Sequence, residues 1–88
     1  MTHLFIVTAE HPYGPGTHVY ACESIAGANR EAARFVNIIR DDSKREMDGD
    51  TLPPEATPEN WESVLQVLAD WHGEATCRTD ITELDTLP

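Results

Sequence analysis

Apolar side chains dominate both faces of the stretch Leu4-Phe5-Ile6-Val7-Thr8-Ala9, and its β-branched and aromatic content predicts a central β-strand. Turn residues follow, His11-Pro12-Tyr13-Gly14-Pro15-Gly16, before Thr17-His18-Val19-Tyr20-Ala21-Cys22 resumes an extended pattern. Two strands around a Gly/Pro loop make a hairpin. After Ser24, whose hydroxyl suits an N-cap, Ile25, Ala28, Ala32, Phe35, Val36 and Ile39 recur at helical spacing through Arg40. Asn29, Arg30, Glu31, Arg34 and Asn37 fall on the other side of that helix.

Periodicity lapses over residues 41–57, which are rich in Asp, Ser, Lys, Glu and Gly and contain Pro53-Pro54; this reads as an exposed acidic loop. Thr57-Pro58-Glu59 then supplies a hydroxyl cap, a proline for a first helical position and an acid for the positive dipole end. Trp61, Val64, Leu65, Leu68 and Trp71 continue the apolar spacing until Gly73, and both tryptophans are assigned to the core. Beyond it, Ala75, Cys77, Thr79 and Ile81 alternate with Thr76, Arg78, Asp80 and Thr82, a strand with one polar face, and residues 84–88 read as a tail.

The pattern is therefore α+β, in the order β-β-α-α-β: a three-stranded sheet of order 2-1-3 with two helices packed on one face. Counting chain direction through two antiparallel helices makes the third strand parallel to the first and the sheet mixed. With 88 residues the chain is one domain, 1–88, because a core this small does not divide. No apolar run approaches the ~20 residues of a membrane helix, and the start lacks the charged segment of a secretory signal, so the expected location is cytoplasmic. Cys22 and Cys77, on strands separated by a third, are expected as reduced thiols packed like small hydrophobes.

Charge changes this picture most. The net charge is −10, and all of it lies in the second half: residues 1–40 hold three acids and three bases, residues 41–88 thirteen and three. Glu46, Asp48, Asp50, Glu55, Glu59, Glu62, Asp70 and Glu74 follow one another without a Lys or Arg among them. Such a field repels nucleic acid and anionic membrane and attracts a basic surface of a protein partner. The expected partner-binding residues are Asp48, Asp50, Glu55, Glu59 and Glu62, with Tyr13 at the hairpin tip as an aromatic anchor.

Reactive chemistry has thinner support. If the hairpin pairs Pro12 with Thr17, His11 stands opposite His18, a weak candidate pair for a metal ion that would still need further ligands. Gly14-Pro15-Gly16 precedes a strand rather than a helix, so it is no phosphate loop. No glycine-flanked nucleophile elbow occurs, and Asp41-Asp42 with Asp48-Gly49-Asp50 fail the spacing of a calcium loop. No catalytic residue and no cofactor is assigned.

In general character, short, single-domain, acidic and without catalytic motifs, the chain resembles the anti-CRISPR and anti-restriction proteins of phages and mobile elements. That resemblance lies in composition rather than aligned residues. It implies an inhibitor that mimics nucleic acid and occupies the basic surface of a host nucleic-acid-binding defence complex. The alternative is a small dimeric enzyme, or a metal- or small-ligand-binding protein, using the His11/His18 hairpin.

Overall fold

The apolar run Leu4–Ala9 lies in the middle strand. The computed structural model describes residues 2–86, with β1 (Thr2–His11), β2 (Gly14–Cys22), α1 (Ile25–Ser43), α2 (Trp61–His72) and β3 (Arg78–Thr86), and the sheet order is β2-β1-β3. Val7 sits between Tyr20 and Ile81, and Ala9 between His18 and Thr79. Because strand side chains alternate, these residues share one face. Val7, Ala9 and Thr79 on it are buried, whereas Val19, Thr82 and Leu84, which alternate with them, are exposed. Val7 and Ala9 join the core cluster with Ala28, Ala32, Phe35, Val36 and Ile39 of α1.

Both strand pairings are antiparallel, so the sheet is not mixed and β3 runs opposite to β1. The direction count fails because the segment 44–60 is a third, non-helical traverse. Arg40 Nε donates to the Pro53 carbonyl at 2.7 Å, and Asn37 exchanges two bonds with the Ala56 backbone, at 2.9 and 2.7 Å. Trp61 Nε1 donates to Asn29 Oδ1 at 2.9 Å. The chain thus walks back along α1 from its C-terminal end toward its start. At the far end of α2, His72 meets Ser43, with Nε2 and Oγ 2.8 Å apart. Since α2 begins beside Asn29 and ends beside Ser43, it runs parallel to α1, and β3 must return antiparallel to β1. α1 contacts all three strands; α2 rests on α1 and touches the sheet only at β3.

This return segment differs from a solvated loop in its packing. Residues 41–43 belong to α1, and Met47, Pro53 and Ala56 are buried, while Asp48, Asp50 and Glu55 are exposed. We expect Asn37→Ala to cost about 1–3 kcal/mol, two hydrogen bonds at roughly 0.5–1.5 kcal/mol each, read as a lowered urea midpoint at unchanged slope.

Local signals act at the helix ends. Ser24 Oγ accepts from the Gly27 N–H at 3.0 Å. Thr57 Oγ1 accepts from the Asn60 N–H, while Asn60 Oδ1 accepts from the Thr57 N–H, a reciprocal cap closing the turn that feeds α2. The regular helix starts after it, at Trp61. Gly73 ends α2 at φ 100°, a left-handed value that glycine adopts without strain. Of the two expected core tryptophans, Trp61 is 6% exposed and Trp71 is 49% exposed. The buried row Trp61, Val64, Leu68 continues at helical spacing to His72, and position 71 turns away from it. β3 extends through Thr86 where a tail was expected; Leu87 and Pro88 lie outside the described residues. Cys22 and Cys77 are unbonded thiols, and burial pushes the Cys77 thiol up to about 11, so it stays protonated.

Candidate interaction surface

The return segment carries its carboxylates outward along α1. Asp48 and Asp50 follow Met47, whose N–H donates to the Ser43 carbonyl at 2.9 Å. Glu55 precedes the Ala56–Asn37 bonds, and Glu59 shares a shallow cleft with Ile25, Asn29 and Arg30. Residues 29 and 43 are about 21 Å apart at 1.5 Å per helical residue, so these four acids string over roughly that length. All eight carboxylates from Glu46 to Glu74 are exposed, and none forms an ion pair among the described residues. Of the nearby cations, Arg40 and Lys44 pair with Asp41 and Arg34 with Glu31, while Arg30 shares the cleft with Glu59 and Arg45 precedes Glu46 in the chain.

Glu62 departs from that row. It lines a groove of about 700 Å3 between α2 and β3, with Phe5, Ile25 and Leu65 as apolar lining and Asp80 and Glu83 as further acids. A neighbouring hollow of about 490 Å3 continues it, sharing Glu62, Leu65, Gln66, Thr79 and Asp80 and adding Glu74 and Cys77. Thr79, 4% exposed, lines both, and its hydroxyl is a buried side-chain oxygen with no hydrogen-bond partner among the described residues.

Tyr13, at the hairpin turn, is packed on one side and exposed on the other. Its ring packs edge-on to His72 at 5.2 Å and lies 5.7 Å from His11, and its hydroxyl pKa is raised by burial and by hydrogen bonding to Glu46. The ring remains 41% exposed, beside the acidic row.

The expected His11–His18 pair does not form. The register shifts after Glu10, which pairs with Thr17, so that His11 faces Gly14 and His18 faces Ala9. Gly16, at φ 95°, takes up the two extra residues of β2 in a conformation closed to most side chains. Both nitrogens of His11 are engaged: Nδ1 accepts from the Tyr13 N–H at 3.0 Å, which leaves Nε2 to donate to Asp42 Oδ2 at 2.7 Å. The His18 ring packs on Phe35, 5.2 Å between centroids, and the His11 ring meets the same Phe35 edge-on at 6.2 Å. Among the described residues no three His, Cys, Asp or Glu side chains are placed to hold a metal ion.

Ser43 and His72 also fail as a nucleophile and base. Ser43 is fully buried and its Oγ donates to the Ile39 carbonyl at 2.7 Å, so it accepts from His72 Nε2–H. Burial lowers the pKa of His72, against an opposing effect of Glu46 and a smaller lowering by His11. The folded state therefore holds His72 neutral where the unfolded chain binds a proton. Stability attributable to His72 is fully present above its ordinary value of 6.5 and is lost as pH falls through and below it. We expect urea midpoints to drop between pH 7.5 and 5.5, and to drop less in His72→Gln.

No protein-family model, curated protein or solved structure matches the chain. Of the five acids expected to share one surface with Tyr13, Asp48, Asp50, Glu55 and Glu59 lie along α1 and Glu62 lies in the groove with Asp80 and Glu83. Asp80 and Thr79 are expected from the sequence only as strand residues, and Glu83 falls between the expected strand and tail. Their signal was the acid density of Arg78–Thr86 itself, which becomes informative once β3 is known to be an edge strand beside α2. No helix among the described residues is long and apolar enough to cross a membrane.

Proposed function

We propose that this chain is a protein–protein interaction module whose acidic surface occupies a basic surface of a partner. In its sharpest form the partner is a nucleic-acid-binding host defence complex, and the chain is a cytoplasmic inhibitor of the anti-CRISPR or anti-restriction type. The observation that supports it is the set of eight exposed carboxylates from Glu46 to Glu74 with no ion-pair partner among the described residues. Carboxylates that form no ion pair keep most of their field, which steers a basic partner and excludes its nucleic acid. The reading takes both helices to lie on the Val7 face of the sheet, with the partner approaching from the helical side.

The experiment uses the chain as bait in nuclease-treated host lysate, beside a variant with Asp48, Asp50, Glu55, Glu59 and Glu62 changed to Lys. The expected result is a nucleic-acid-binding protein recovered by the natural chain, released by rising salt, displaced by added nucleic acid and absent from the variant. Equal recovery by both baits, or none by either, overturns the reading.

A further inference from the structure

We infer that the groove between α2 and β3 receives an extended basic segment of the partner protein, added as a fourth strand to the free edge of β3. This deepens the acidic-surface reading and rests on it. β3 is a sheet edge, so every second residue directs its N–H and C=O away from β1. An edge strand facing a helix across an open slot is the arrangement in which an extended peptide gains main-chain hydrogen bonds and side-chain pockets together. Here α2 leans on α1 and touches only β3, which leaves the slot open along the edge.

The lining selects the occupant. Toward the core side an added strand meets Leu65, Ile81 and Thr79, the last with its unpartnered hydroxyl. Toward the other side it runs beside Asp80, and Glu62 and Glu74 of the groove add negative charge at the helix side. Arg78 is the basic residue of this lining and already faces Asp80 at 3.7 Å. An extended segment with apolar residues to pack on Leu65 and Ile81, and Lys or Arg to reach Asp80 on one side and Glu62 and Glu74 on the other, suits this lining. A second copy of this chain fits worse, because pairing two β3 edges brings Asp80 and Glu83 of both together.

The test titrates the full isotope-labelled chain with the octapeptide (Lys-Val)4, and with versions N-methylated at all valines or at all lysines. Each methylated peptide keeps the charge but loses the donors of one strand edge. Expected are amide shift changes and slowed exchange concentrated in residues 79–84, with shifts at Glu62, Leu65 and Gln66. At least one methylated peptide should bind tenfold or more weakly, as should the parent peptide to the folded variants Asp80→Lys and Glu62→Lys. Equal binding of all three peptides, shifts centred on residues 48–59, dimerisation through β3, or no binding overturns strand addition. The bait experiment separates the two failures: a salt-sensitive partner captured by a chain that ignores the peptide leaves the acidic reading standing. No capture removes the broader reading.

Discussion

Trp61→Ala will remove a large share of the fold's stability, about 3–5 kcal/mol for truncating a buried tryptophan, against the roughly 4–13 kcal/mol expected for a chain of this length. The residue does two things. Its ring fills the core at the first turn of α2, 6% exposed, and its indole N–H fastens that turn to Asn29 Oδ1, fourteen residues before the end of α1. The second contact fixes where α2 begins, hence that it runs parallel to α1 and that β3 returns antiparallel to β1. Trp61→Phe separates the two roles: it keeps most of the buried ring and loses the hydrogen bond, so we expect about 1–2 kcal/mol. Urea unfolding of both variants, followed by far-ultraviolet circular dichroism, checks the order. Equal, small losses in the two would show that α2 is held by its other contacts, and that Val64 and Leu68 suffice.

The elements were legible because each rests on a local period. Ala28, Ala32, Phe35, Val36 and Ile39 are buried at the spacing that predicts α1, and the Leu4–Ala9 run occupies the sheet centre because both its neighbours cover it with hydrogen bonds. The direction of β3 was not legible. What sets it is a set of polar tethers, Asn29, Asn37 and Arg40, which hydropathy assigns to solvent. With Ala33, which is buried, these residues fall three or four apart along α1, a second stripe that no apolar count detects. The segment they hold offers Met47, Leu52, Pro53 and Ala56 to the interior, at spacings that follow neither a helical nor a strand period. The acids were legible as exposed, but their grouping was not. Glu62 gains Asp80 and Glu83 as neighbours only because β3 is antiparallel and lies beside α2. The histidine pair failed for a one-step reason: the extra residues at Pro15 and Gly16 shift the register just where the pairing mattered.

Reversing Asp48, Asp50, Glu55, Glu59 and Glu62 to Lys should abolish partner capture while leaving the fold intact. Each substitution raises the charge by two, so the five together take the chain from −10 to 0. Electrostatic steering of this kind changes association rates by roughly 10- to 1,000-fold. All five residues are exposed and without an ion-pair partner among the described residues, so each should alter stability by no more than about 0.5 kcal/mol. A chain of zero net charge also loses colloidal repulsion, and precipitation would imitate lost binding. Changing the same residues to Asn and Gln removes that ambiguity, because it leaves a charge of −5. An electrostatic interface predicts graded capture, natural chain above amide variant above lysine variant, with salt weakening the first two over the range where the screening length falls below about 10 Å. Four acids over roughly 21 Å give about one charge per 5 Å, sparser than the one per ~3.4 Å of a single strand in duplex DNA. On the proposed reading, the row alone would imitate a phosphate strand only partly, and a partner would also need apolar contacts such as those of the groove beside β3. Capture by the amide variant equal to that of the natural chain would assign the whole charge to solubility.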